Sequence, residues 1–320
     1  MSPKTMTPNL IGALCALPAA FFFSVNDMAI KVLSDGYALH QVVLIRSVIG
    51  MALWMLIALP FTGWQVVKTK RPMMHFARGF CVVFANMSFF LGLAVLPLAE
   101  AVSIFFISPL IITVFSVVFL GEKVGPWRWG AVAIGLAGVL VIVNPSGAKF
   151  QIATMLPLIA ATSYAILHIL TRKIGKTESA ATMLFYIQLT FIMTSGAIGL
   201  ALGDGRFSGN ADPSLEFLTR SWTVPDMADW WIFMTIGVGS AAGGYLISQA
   251  YRLSEAAFAA PFEYLAMPLA ILWGVLVFGE WPDMNSWVGM ALIIGSGLVL
   301  LWREALGKRM LSKRSPRLRR

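Results

Sequence analysis

Charge is scarce in this 320-residue chain. Only 12% of its residues are Asp, Glu, Lys or Arg, about half the share of a soluble domain. Cysteine is nearly absent. Cys15 and Cys81 stand in separate apolar runs, which argues against a disulfide framework or a cysteine-based metal site. There are three histidines, and neither H-E-x-x-H nor G-x-S-x-G occurs, so zinc-hydrolase and serine-hydrolase chemistry lack their parts. The G-x4-G-K-[ST] phosphate loop is missing too, so ATP is not the direct energy source. No cofactor is implied, and the chain does not read as an enzyme.

What is present is apolar: 58% of residues are hydrophobic. A single soluble core of this length could not hide that much apolar surface, so lipid is the main solvent. A net charge of +9 would suit nucleic acid, but eight of the basic residues crowd into the terminal stretch "REALGKRMLSKRSPRLRR". No soluble module is left to bind DNA or RNA. The tail reads as a solvated orientation signal, with anionic lipid as the other reading. Lys4 precedes an apolar run that is too long for a signal-peptide core and long enough to span.

Apolar windows of about 20 residues, the length of a membrane-spanning helix, fall at 9–33, 39–60, 73–96, 98–121, 126–144, 151–171, 179–203, 229–251, 256–279 and 283–302. They are continuous runs and not alternating strands, so the expectation is an all-α membrane protein of ten helices and not a β-barrel. Lys and Arg fall unevenly between the two sides. Lys149, Arg206 and Arg220 lie on one; Lys4, Lys68, Lys70, Arg71, Arg78, Lys123, Arg128, Arg172, Lys173, Lys176, Arg252 and the tail lie on the other. That bias puts both termini in the cytoplasm of a bacterial inner membrane. Arg78 needs no more than orientation and headgroup contact. In the long outer loop 204–228, Asp212-Pro213 predicts the start of a short surface helix, and Trp222, Trp230 and Trp231 suit the membrane interface.

The sequence repeats itself. Residues 98–141 and 253–300 both begin L-x-E-A, carry a proline within the helix (Pro109, Pro268) and end it in Gly-Glu (Gly121-Glu122, Gly279-Glu280). Both then space glycines eight apart (Gly130 and Gly138, Gly289 and Gly297), and "LPAAFFFS" at 17–24 lines up with "LPLIAATS" at 156–163. Five helices per repeat is odd, so the second copy enters the membrane from the opposite side, an architecture suited to alternating access. The units are 1–146, 147–303 and the tail 304–320. Gly239 and Gly243, with the glycines of spans five and ten, permit close helix approach.

The run "LGLAVLPLAEAVSIFFISPLIITVFSVVFLGEKVGPWRWGAVAIGLAGVLVIVNP", and its counterpart "FGEWPDMNSWVGMALIIGSGLVLLW", strongly resemble the drug/metabolite transporter superfamily, EamA-type. "HFARGFCVVFANMSFFLGLAVLPLAEA" looks most like the branch of S-adenosylmethionine and riboflavin transporters. The resemblance implies a membrane transporter of a small molecule. The family's substrates range over amino acids, sugars, nucleotide derivatives, vitamins and drugs. Where span two has Arg46, the aligned helix seven offers Gln188, so a doubled-arginine site is not supported.

Ionisable groups inside a membrane cost roughly 2.5–3.5 kcal/mol each on insertion scales and need a reason. Asn26 and Asp27 share a span with Lys31, and Asp27 and Lys31 are i,i+4 on one face. Either they pair, with Lys31 snorkelling outward, or they join Arg46 in lining the outer half of a substrate path or its gate. Glu263 stands between Pro261 and Pro268 beside Tyr264. It reads as a proton carrier, as a ligand for a cationic substrate, or as a buried acid bonded to a neighbouring helix. His168 is a packing or interfacial group, or a lesser pathway candidate. Asn86, Ser108, Tyr164, Gln188 and Gln249 are singly inter-helix glue, and as a set they suit a central polar cavity. The partners implied are the lipid bilayer and a small-molecule substrate coupled to a proton, to exchange or to nothing. A channel of the same fold is the rival. The oligomeric state does not follow.

Overall fold

A computed structural model describes residues 8–143, 152–296 and 299. The basic tail, Lys4, Lys149, Gly297, the repeat boundary near 146 and the end of the tenth window lie outside the described residues. All regular structure among the described residues is helical. The elements are α1 (Pro8–Leu33), α2 (Leu39–Thr62), α3 (Pro72–Leu93), α4 (Leu98–Phe105), α5 (Ser108–Leu120), α6 (Pro126–Val143), α7 (Met155–Ile174), α8 (Ala180–Leu202), α9 (Pro213–Thr219), α10 (Trp230–Leu253), α11 (Ala256–Ala259) and α12 (Ala266–Phe278). A last helix, α13, covers Met284–Ser296. Seven helical stretches are long and apolar enough to cross a membrane, with α4 and α5 counted together as Leu98–Leu120. Shorter apolar helices occupy Trp129–Val143, Phe262–Phe278 and Met284–Ser296.

The two prolines expected within helices instead mark breaks. Pro109 lies in the first turn of α5. It has no N–H, and its ring excludes the helical bond to the carbonyl four residues back, so α4 stops at Phe105 and α5 restarts at Ser108. In the matching segment, α11 passes into a 3-10 turn over Ala260–Leu265 before α12 begins at Ala266, two residues ahead of Pro268. Both segments then end alike. Gly121 and Gly279 adopt left-handed backbone with φ of 68° and 67°, a conformation that glycine reaches without a Cβ clash. In each, the following Glu N–H turns back six residues, Glu122 to Ser116 O at 3.1 Å and Glu280 to Gly274 O at 2.9 Å.

Helix contacts exchange between the halves. α1 packs on α10 and α3 packs on α7; α2 packs on α8; α5 packs on α7, and α1 packs on the 3-10 turn and α12. Small residues allow the closest of these approaches. A Cβ on Gly138 would lie 2.7 Å from Gly289 O, and one on Gly289 would lie 2.5 Å from Gly138 O, so α6 and α13 meet backbone to backbone. Gly243 gives α10 the same freedom against Phe23 of α1.

The loops tie across the halves too. Glu178, after α7, accepts from Thr69 Oγ1 at 3.0 Å and Lys70 N at 3.1 Å. Beyond the other ends of the helices, Arg220 Nη1 donates to Ser34 O at 2.8 Å, and Tyr37 Oη donates to Asp229 Oδ2 at 2.6 Å. Burial and the Asp229 carboxylate push the Tyr37 phenol above its ordinary range. The surface helix predicted at 213 is α9, capped by Asp212 Oδ1 accepting from Leu215 N at 3.0 Å. Both cysteines are free.

Candidate functional site

Helices α1, α2, α3, α4, α7, α8 and α10 enclose a central cavity with the 3-10 turn. Its volume is about 130 Å³, taken as space open to the centre of a water molecule. A water needs roughly 10–15 Å³ on that measure, so the cavity holds several. The wall is mostly apolar, with Phe89, Phe90, Phe105 and Phe191 among its rings. Into it project polar groups from both halves of the chain.

Arg46 is the centre of one group. It is 3% exposed. Its Nη2 donates to Asn86 Oδ1 at 2.8 Å and its Nη1 to Asn26 Oδ1 at 3.3 Å. The guanidinium lies between two rings, 5.4 Å from the centroid of Phe90 and 4.9 Å from that of Phe191, a placement that a cation gains from when it leaves water. Asp27 opens onto the same cavity. Gln188, buried in α8, donates through Nε2 to Ser240 Oγ at 3.1 Å, while its Oε1 has no partner among the described residues.

Glu263 is the centre of the other. It lies in the 3-10 turn, where the chain leaves α-helical geometry. Tyr164 Oη donates to its Oε2 at 2.6 Å, and Tyr251 Oη donates to its Oε1. Both carboxylate oxygens are therefore engaged by hydroxyls, from α7 and α10. His168 sits beside them, stacked on Tyr251 with centroids 3.8 Å apart and edge-on to Tyr164 at 4.1 Å.

Of the residues singled out in the sequence, Asn26, Asp27, Arg46, Asn86, Tyr164, Gln188 and Glu263 line this cavity together. Lys31, Ser108, Gln249 and Tyr264 do not line it. Lys31 does not pair with Asp27. Its Nζ reaches Glu280 Oε1 at 2.7 Å and Leu96 O at 2.9 Å, because the helix turns it toward the ends of the broken segments. Ser108 starts α5 and is 1% exposed within the protein. Gln249 accepts from Arg252 Nη1 at 3.1 Å. Tyr264 packs its ring 5.6 Å from Phe106, and its hydroxyl has no partner among the described residues.

Two wall residues carry more than the sequence assigned them. Arg78 is not at the headgroups. It lies in the second turn of α3, 1% exposed, and lines the cavity. His168 is 2% exposed on the same wall. Both were legible as polar residues in apolar runs, but a residue near a window's edge looks interfacial until the neighbouring helix that covers it is known. Ser240 and Ser248 also line the cavity; small hydroxyls in a glycine-rich helix carry no signal that separates lining from packing.

The glutamates that close the broken segments form a second structural element. Glu280 accepts Lys31 on Oε1 and the N–H of Leu98 on Oε2 at 2.8 Å, so it caps the start of α4, where a negative charge is favoured. Glu122 faces Arg172 Nε at 4.0 Å. Arg172 Nη1 donates to Arg252 O at 3.3 Å, just as Lys31 donates to Leu96 O. Glu122 Oε2, unlike Glu280 Oε2, has no partner among the described residues.

Long apolar helices around a polar-lined centre define an integral membrane protein of the polytopic helical class. The model of the EamA-like transporter family matches residues 10–144 and again 151–302, and the chain belongs to that family, one of transporters and not of enzymes. It is 28% identical over 298 residues to a riboflavin transporter of Rhizobium johnstonii, covering 92% of each chain. It is 26% identical over 294 residues to an S-adenosylmethionine uptake transporter of Rickettsia bellii, covering 91% of this chain and 92% of the relative. One solved crystal structure shares the fold with a TM-score of 0.68 at 18% identity, over 93% of this chain and 98% of its own.

Proposed function

We propose that the chain is a secondary transporter that carries a small polar or amphipathic metabolite across the bacterial inner membrane by alternating access. Ten spans form two inverted five-helix repeats, 1–146 and 147–303, and the basic tail 304–320 lies with both termini in the cytoplasm. The observation that carries this reading is the convergence of charged and polar groups from both halves on one cavity beside two helices broken at corresponding places. Broken helices near a midplane free backbone groups and suit a substrate site.

In this reading Asn26, Asp27, Arg46, Asn86, Tyr164, Gln188 and Glu263 meet the substrate, and the phenylalanine rings pack on its flat part. The similarity to transporters of riboflavin and of S-adenosylmethionine supports a ring-bearing cargo. Glu263, held by two hydroxyls, is the group that would carry a coupled proton.

The glutamates at the ends of the broken segments are the gates. Lys31 and Glu280 close the outer end, while the longer Arg172–Glu122 separation, with a Glu122 oxygen that has no partner among the described residues, leaves the inner end the looser. The test is counterflow in proteoliposomes, with riboflavin and S-adenosylmethionine as the first labelled cargoes and flavins, nucleosides and amino acids after them. Saturable uptake stimulated by cargo on the far side is the expected result. Flux that never saturates and shows no trans-stimulation would make the protein a channel. Asp27→Asn and Arg46→Gln variants that reach the membrane and transport at the parental rate would remove the assigned path.

A further inference from the structure

Arg78 and His168 have donors that the assigned path leaves unused. Arg78 Nε donates to Thr171 Oγ1 at 3.0 Å, and that hydroxyl is itself committed to Leu167 O at 2.8 Å. Arg78 Nη1 has no partner among the described residues, and no acid forms an ion pair with this guanidinium there. Neither ring nitrogen of His168 has a partner among the described residues, although its ring is fixed by Tyr251 and Tyr164. His168 and Thr171 are one turn apart on the same face of α7, opposite Arg78 of α3, and all three line the cavity.

A buried guanidinium without a counter-charge is costly, and an apolar residue would remove the cost. The other buried arginine on the wall, Arg46, has both terminal nitrogens bonded to asparagines. Arg46 leaves only its Nε without a partner among the described residues, whereas Arg78 leaves a terminal nitrogen, Nη1, free. An ionised arginine nitrogen and an imidazole N–H on one stretch of cavity wall fit the oxygens of an oxyanion. Phe89 and Phe105 line the same cavity and offer apolar surface to a ring attached to that group.

We propose that Arg78 and His168 form an oxyanion subsite that holds a carboxylate or phosphate group of the transported molecule. This rests on the reading of the cavity as the substrate path and names one chemical feature of the cargo.

The test uses purified full-length protein in detergent and thermal melting. Benzoate is compared with benzamide, which has the same ring without the oxyanion, and inorganic phosphate is compared with chloride at matched ionic strength. Benzoate or phosphate should raise the melting temperature with dose where benzamide and chloride do not. Arg78→Gln should shift the dose needed by at least tenfold, about 1.4 kcal/mol, and His168→Phe should weaken the response in the same direction. If Arg78→Gln yields no folded protein, Arg78→Lys and His168→Phe carry the comparison. No oxyanion response in the parent, or an equal response in the variants, overturns the subsite. Loss of counterflow with the oxyanion response intact would remove the transporter reading and leave the subsite standing; the reverse would remove the subsite alone.

Discussion

Lys31 Nζ lies 2.7 Å from Glu280 Oε1 across 249 residues of sequence, joining the end of α1 to the end of α12. The carboxylate's second oxygen caps α4. One side chain thus ties three helix ends together at one end of the bundle, and Arg172 with Glu122 holds the matching place at 4.0 Å.

If the first pair is a gate, Lys31→Gln should shift the population toward a cavity open at that end. The pair is part-buried, so the expected bias is about tenfold, the change that about 1.4 kcal/mol makes. The measurement is labelling of a Ser240→Cys variant by an impermeant maleimide added outside, with Cys15 and Cys81 replaced. Labelling that rises about tenfold in Lys31→Gln supports the gate. An unchanged rate would make the ion pair a fixed strut.

Close packing of α6 on α13 gives a stability prediction with its own control. Gly289→Ala must push a Cβ into the Gly138 carbonyl, and overpacking of this kind costs about 1–3 kcal/mol. Gly130→Ala in the same α6 meets nothing within 4 Å, and alanine is the better helix former by up to about 1 kcal/mol. Melting in detergent should fall by several degrees for the first and hold or rise for the second. Equal melting temperatures would mean the two helices do not meet at Gly289.

The glycines show how far the sequence could be read. Gly130, Gly138 and Gly289 share a repeat pattern, yet only Gly138 and Gly289 face another backbone; spacing gives the helix, not the neighbour. Seven of the apolar windows and the Gly-Glu endings were legible, because each follows from local chemistry; the breaks at Pro109 and Pro268 were not, since a proline in an apolar run reads equally as a kink within one helix. Asn26, Arg46 and Asn86 were legible as candidates, since an amide or a charge in an apolar run calls for a partner. The Lys31 pairing was not. The i,i+4 spacing favoured Asp27, and the actual partner is an acid at the end of a distant helix, found only when the halves are assembled. Arg78 was misplaced for the same reason, because its cover comes from Thr171 on α7.

In the long loop, Glu216 Oε2 accepts the N–H groups of Gly209 and Asn210 at 2.7 and 2.8 Å. Those bonds, led by that from Asn210, and the nearby Arg220 hold its carboxyl below the usual glutamate range. A depressed folded-state value contributes stability that is present above the unfolded value and lost as pH falls through the folded one. Acidification below the ordinary glutamate range should therefore release the turn at 209–210. Amide exchange at Gly209 and Asn210, corrected for intrinsic rates, should show protection lost on acidification. Glu216→Gln should be less protected at neutral pH and nearly flat with pH. Protection that is independent of pH in the parent would assign the turn's order to Asn210, whose amide also bonds to Phe207 O and Thr219 Oγ1.

Glu263 separates chemistry from architecture. Two tyrosine hydroxyls donate to its two oxygens, an arrangement that an amide cannot copy, since its NH2 would face one of the hydroxyls. Hydrogen bonds to a charged acceptor contribute about 1.5–3 kcal/mol each, so Glu263→Gln should lower the melting temperature, and so should Tyr251→Phe, which removes one donor and leaves the acid. The two variants should part in transport. If Glu263 carries the coupled proton, Glu263→Gln loses uptake driven by a pH gradient while exchange of cargo across the membrane continues. Tyr251→Phe keeps the acid and should keep gradient-driven uptake. Equal loss of both activities in both variants would make the Tyr164–Glu263–Tyr251 group a brace between α7, α10 and the 3-10 turn. Gradient-driven uptake that survives Glu263→Gln would move the proton to Asp27, the other carboxylate on the cavity wall among the described residues.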